Sequence, residues 1–200
     1  MRTALVLARH EVRLLVSLVL WAARRTPDTR GGRAFGYVGG QGAMMFGFAF
    51  VCLVETVAMS VLLRDWPTVH AVVFCLDVYG IVIVVAMHAA SVVRPHVLEA
   101  GSLRIRRAGH VDLRIPLEKI ASVRRELRTV HERTDGELNL AIGAQTSVTI
   151  ELTEPVPHFT FLGRRREVRL VRCHADDATA FVRAITRARS ALSPLPDRPV

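Results

Sequence analysis

GAMMFGFAFVCLVETVAMSVLLRDWPTVHAVVFCLDVYGIVIVVAMHAASVV, residues 42–93, decides the architecture of this 200-residue chain. It divides into Gly42–Leu63, whose one ionisable group is Glu55, and Val69–Val93, whose one acid is Asp77 and which holds no Arg or Lys. Each run is long enough to cross a hydrocarbon core of about 30 Å as a helix. The link Arg64-Asp65-Trp66-Pro67-Thr68 predicts a tight turn, with Pro67 suited to the first turn of the second helix and Trp66 to an interface. The pattern is that of a transmembrane hairpin over 42–93.

Half of all residues are hydrophobic while 22% are charged, and the two properties are segregated along the chain. The formal charge of +9 divides as +5 for residues 1–40, −2 for 41–93 and +6 for 94–200. Such segregation excludes a plain soluble globule, a disulfide-rich secreted module and a disordered chain. Seven arginines precede the hairpin, and Arg94, Arg104, Arg106 and Arg107 follow it, against Arg64 alone in the turn. Counted by the positive-inside rule, both termini are cytoplasmic and the turn lies outside. A bacterial plasma or inner membrane is the expected location.

The N-terminal segment is read differently. Leu14–Ala23 is ten residues, too short to span, and extending it backward takes in Arg9, His10, Glu11 and Arg13. Each such charge costs on the order of 2.5–3.5 kcal/mol at mid-bilayer. Residues 1–25 are therefore expected to form an amphipathic helix on the inner leaflet. A third span, which would put the N-terminus outside, is the alternative. Residues 26–41 are glycine-rich and read as a linker that is flexible or tightly turning.

Ionisable side chains within the spans are a functional-site hypothesis by default. Glu55 and Asp77 fall about 12–15 Å beneath the outer surface at 1.5 Å per helical residue. His70, Asp77 and His88 share one line of the second helix. Glu55, Asp77 and His88 could form a proton relay or cation site, in a chain that is one subunit of an oligomeric transport or ion-conducting assembly. They could equally be protonated or neutral groups that hydrogen-bond across helices and fix the pair or a homo-oligomer.

Past Arg94-Pro95 the pattern becomes alternating. Leu103 and Ile105, then Val111, Leu113 and Ile115, are apolar at every second position. A three-residue loop over 108–110 pairs Ile105 with Leu113 and Leu103 with Ile115, and sets Arg106 opposite Asp112. A two-residue loop would set Ile105 against Asp112. Further strands are expected at 96–100, 120–131, 146–152 and 167–173. A C-terminal helix follows, capped by Asp176 or Asp177, with Ala178, Phe181, Val182, Ile185 and Ala188 on its apolar face. Ser193-Pro194 stops it, and 193–200 reads as a disordered tail. Arg104, Arg106 and Arg114 are candidate contacts for anionic headgroups or a partner, because Arg104 and Arg114 stand opposite each other and need neutralising.

Several antiparallel strands closed by one C-terminal helix, with the LRIRRAGHVDLRIPLEKIASV segment of 103–123, resemble the bacterial pleckstrin-homology-like domain. The whole chain resembles uncharacterised actinobacterial integral membrane proteins that pair such a domain with two transmembrane helices. The resemblance implies a β-sandwich or barrel over 94–192 capped by a helix. Phosphoinositide binding does not carry over, since the corresponding turn, Ala100-Gly101-Ser102, has no base. No P-loop, GxSxG, HExxH or GxGxxG motif occurs, and Cys52, Cys75 and Cys173 have no metal spacing. His96, His110, His131, His158 and His174 are dispersed and read as surface or strand-edge residues. The scattered arginines lack the interleaved aromatics of a nucleic-acid face. The expectation is a non-enzymatic membrane protein without cofactor or metal, whose partners are the bilayer and a docked protein or peptide.

Overall fold

The computed structural model describes residues 2–25, 29, 31–108, 111–129, 134–160 and 164–192. Three helices come first: α1 (Arg2–Ala22), α2 (Gly42–Leu62) and α3 (Pro67–Val93), with Pro67 opening α3. Helices α2 and α3 are long and apolar enough to cross a membrane, and only 6% of the most apolar window of each is buried. A core helix of a soluble protein would hide such a surface; here Phe46, Phe48, Phe50, Val57, Val61, Val72 and Leu76 stand exposed. Helix α1 packs on α3, where Leu14 is buried against Ala86 and Ala90 and the cluster extends to Ala108. Small residues on α3 let that helix approach closely.

The rest is α+β. Strands β1 (Arg33–Phe35), β2 (His96–Leu98), β3 (Ser102–Arg107) and β4 (Val111–Pro116) form one antiparallel sheet in sequence order. Strands β5 (Ile120–Arg128), β6 (Glu137–Leu140), β7 (Thr146–Phe159) and β8 (Arg165–Cys173) form a second, ordered β5-β7-β8-β6. The final helix, α4 (Ala178–Leu192), packs against β5, β7 and the short 3-10 turn Leu117–Lys119. One core fills the space between sheets and helix, with Leu103, Ile105, Leu113, Ile115, Ile150, Val171, Phe181 and Ile185 buried. In β4 the alternation is visible residue by residue: Val111, Leu113 and Ile115 point inward, Asp112 and Arg114 outward.

The β3–β4 register pairs Leu103 with Ile115, Ile105 with Leu113, Arg106 with Asp112 and Arg104 with Arg114, as parity requires. The pairing of Arg107 with Val111 leaves three residues for the turn, of which Gly109 and His110 lie outside the described residues. His131, the Ser193-Pro194 stop and the expected tail 193–200 also lie outside them.

Three expectations are corrected. The segment 26–41 is not a linker throughout, because β1 pairs with β2 and buries Phe35 in the core. Beyond β1 the chain stays fastened: the Gly39 N–H donates to Asp176 Oδ1 at 2.8 Å, and the Asp176 N–H donates to the Gly36 carbonyl at 2.9 Å. A Cβ on Gly36 would lie 2.5 Å from Asp176 Oδ2, which is why glycine stands there. The folded unit therefore begins before residue 94. Second, the sheets are not wholly antiparallel, since β6 runs parallel to β8. A largely buried ion pair, Arg172 Nη1 to Glu137 Oε1 at 2.6 Å, fastens it there. Third, β7 continues seven residues past the expected end at 152, pairing with β8 alone beyond the irregularity at 151–156. Of the two candidate caps of α4, Asp177 does the capping, its Oδ1 accepting the Ala180 N–H at 2.8 Å.

Candidate functional site: the junction between α3 and the first sheet

Helix α3 ends at Val93, and β2 begins only three residues later at His96. Arg94 is half-buried, Pro95 buried, and His96 is 1% exposed. The strand-edge reading of His96 is thus overturned; it is the centre of the junction. Its ring stacks on Tyr37 (centroids 4.7 Å apart, 23° between planes) and on Phe181 of α4 (5.6 Å, 20°). Phe35 packs on Phe181 at 4.8 Å. The Arg106 N–H donates to His96 Nδ1 at 3.1 Å, so Nδ1 is unprotonated and Nε2–H donates to the His174 carbonyl at 3.0 Å. Both ring nitrogens are satisfied by the neutral form. Burial pushes the imidazole pKa down to about 4.

Tyr37 ties this column to the other elements. Its Oη accepts the Ala108 N–H at 2.8 Å, in the turn where Ala108 adopts φ +46°. Burial raises its pKa, opposed by that bond, a hydrogen bond with Ser91 and the charges of Arg107 and Arg94. Helix α3, the first sheet, the β3–β4 turn and α4 are therefore coupled through two aromatic rings and one histidine. Sequence reading missed this because Tyr37, His96 and Phe181 lie 59 and 85 residues apart, with no periodicity linking them.

Around the column sits a group of arginines. Arg104 donates Nε and Nη2 to the two oxygens of Asp112, the first at 2.6 Å. Arg106 is 3% exposed, with Nε 3.8 Å from Asp112 Oδ1. Arg114 Nη2 donates to Glu99 Oε2 at 2.6 Å, and its Nε to Ser102 Oγ at 2.9 Å. The repulsion expected between Arg104 and Arg114 is thus met within the chain by Asp112 and Glu99. Arg106 is buried, whereas alternation placed it outward with Arg104 and Arg114. Arg94 has its pKa lowered by burial first, then by Arg13 of α1 and by Arg106, with Asp112 and Tyr37 opposing. Burial likewise lowers that of Arg107. No carboxylate among the described residues pairs with Arg13, Arg94 or Arg107 within 4.0 Å, and neither Arg94 nor Arg107 is fully exposed.

The structure does not assemble the polar residues of the two apolar helices into one site. Glu55 is exposed on α2, while Asp77 on α3 is half-buried, with Oδ2 enclosed and without a hydrogen-bond partner. No hydrogen bond joins the two among the described residues. His88, eleven residues beyond Asp77, packs edge-on to Trp21 of α1 (6.1 Å, 85°) in a cleft also lined by Met45, Phe46, Ala49 and Val85. Its surroundings are apolar. His158 stands on the stretch of β7 that pairs with β8 alone, a strand-edge position as expected, yet it is buried.

No protein-family model, no curated protein and no solved structure matches this chain.

Proposed function

We propose that this chain is a multi-pass protein of a bacterial plasma or inner membrane, both termini cytoplasmic, that presents a pleckstrin-homology-like domain at the inner leaflet. The domain docks a protein or peptide there and performs no catalysis. One observation carries the reading: the sheet domain is fused to the two apolar helices without a free linker. It leaves α3 through Arg94-Pro95 and enters α2 through β1 and the Asp176-bound glycines. A domain held that rigidly has a fixed attitude to the membrane plane, which suits a docking platform better than a tethered catalytic module. The two sheets and capping helix support a pleckstrin-homology-like assignment by architecture alone.

The docking face is tested with a photo-crosslinking side chain at Leu127 on β5 or Phe159 on β7, the large apolar residues these strands expose. Irradiation of native membranes is expected to give a discrete protein adduct from at least one position. Only lipid adducts or none at both positions would contradict the reading. A second reading, a subunit of a transport or ion-conducting assembly, is favoured by the enclosed, partnerless Asp77 Oδ2 and His70 Nε2 on α3. A conductance or uptake lost in Asp77→Asn would favour it.

A further inference from the structure

The arginines at the end of α3 carry more positive charge than the protein neutralises. Asp112 is occupied by Arg104 and lies beside Arg106. Glu99 is taken by Arg114, and Glu11 of α1 accepts a hydrogen bond from the Tyr79 hydroxyl at 2.8 Å. Arg13, Arg94 and Arg107 are left without a paired carboxylate among the described residues. The carbonyl end of α3 offers about half a negative charge and only within its last turn. Arg13 is exposed, while Arg94 and Arg107 are half-buried, where an unneutralised charge sits in a medium less polarisable than water. Yet Arg94 is held in place by its own backbone, between buried Val93 and buried Pro95.

Position says what the missing anion is. Arg94 is the first residue after the apolar run of α3, so it stands where hydrocarbon gives way to headgroups. Arg107 is next to Ala108, whose N–H donates to the Tyr37 hydroxyl and which packs in one cluster with Leu14, Ala86 and Ala90. Arg13 is next to Leu14 of α1, which is buried in that same cluster, while Arg94 lies one turn beyond Ala90 on α3. That cluster brings together three elements distant in sequence, each carrying an arginine beside its packed residue or one turn from it. Guanidinium forks bind phosphate oxygens in pairs.

We propose that Arg13, Arg94 and Arg107 form a binding site for the phosphate of an anionic phospholipid of the inner leaflet. The bound headgroup neutralises the junction and locks the sheet domain onto the helices. This rests on the membrane reading above and on none of its docking claims.

The full chain is reconstituted into nanodiscs of phosphatidylcholine alone or with phosphatidylglycerol, and retained lipid is counted by native mass spectrometry after release. Phosphatidylglycerol is expected to be retained in preference to phosphatidylcholine. Each arginine near such a surface contributes about 1 kcal/mol, so the apparent affinity should fall about fivefold in Arg94→Gln and roughly 25-fold in Arg94→Gln with Arg107→Gln. Arg94→Lys with Arg107→Lys should recover part of the loss. Removing two exposed arginines of the β7–β8 turn, Arg164→Gln with Arg165→Gln, should change retention less than twofold. If the Gln pair does not fold, the single variants and the lipid preference of the native chain decide. Equal retention of both lipids by the native chain, equal loss in the Arg164/Arg165 control, or displacement of the lipid by millimolar inorganic phosphate would overturn the proposal. Failure of the chain to enter nanodiscs of either composition would instead overturn the membrane reading.

Discussion

Acidification from pH 7 to 5 should weaken the sheet domain through His96. In the unfolded chain its imidazole titrates near 6.5; in the fold burial lowers that to about 4. Between those values the unfolded state binds a proton that the folded state excludes, so stability is full above about pH 6.5 and is lost as pH falls toward 4. Between those values the full linkage is about 3 kcal/mol, of which about 2 kcal/mol is reached by pH 5. For a domain of this size that corresponds to a fall of about 8 °C in Tm. His158 has its pKa lowered by burial with the same sign, so a comparison is needed to isolate His96. Glu126 and Glu151 have lowered pKa values, through Thr149 and Ser122 first and then Arg124, and act below the pH range used. His96→Phe keeps a ring between Tyr37 and Phe181 but abandons the Arg106 N–H and the His174 carbonyl. It should cost about 2–5 kcal/mol at pH 7. The assay is thermal unfolding of the full chain in detergent, followed by near-ultraviolet circular dichroism at pH 7 and 5. The native chain should lose clearly more between the two pH values than His96→Phe does. Equal losses would refute the reasoning.

Phe35→Ala should cost about 3–5 kcal/mol, because β1 is part of the core, and a chain starting at residue 94 should be far more protease-sensitive than one starting at 31. Gly36→Ala should lower Tm by several degrees, since its Cβ displaces the Asp176 carboxylate from the Gly39 N–H. Glu137→Ala strands the largely buried Arg172 and should destabilise by about 3–5 kcal/mol in the same melt, while Glu137→Ala with Arg172→Met should recover most of it.

The parts legible in the sequence are those whose pattern is local. The β3–β4 hairpin announces itself because Leu103, Ile105, Val111, Leu113 and Ile115 alternate, and parity then permits one turn length. The apolar helices are legible from length alone. Strands β1 and β6, three and four residues long, are too short to show a period. Both are recruited by long-range partners, β2 for one and the Arg172–Glu137 pair for the other. Arg106 reads as outward by alternation, yet it is buried, which no property of residues 102–107 encodes. The junction site was invisible for the same reason: Arg13, Arg94 and Arg107 are ordinary arginines until α1, α3 and β3 meet.

The orientation of the chain is tested most directly by cysteine labelling. Cys52 and Cys75 are replaced by Ser, and Cys173 is left in place, its buried thiol pushed up to about 12 and so unreactive. Single cysteines are then introduced at Asp65, exposed in the α2–α3 turn, and at Arg183, exposed on α4. Spheroplasts are treated with a membrane-impermeant maleimide before and after permeabilisation. The account predicts that Asp65→Cys is labelled in intact spheroplasts and Arg183→Cys only after permeabilisation. Labelling of Arg183→Cys in intact spheroplasts would contradict it.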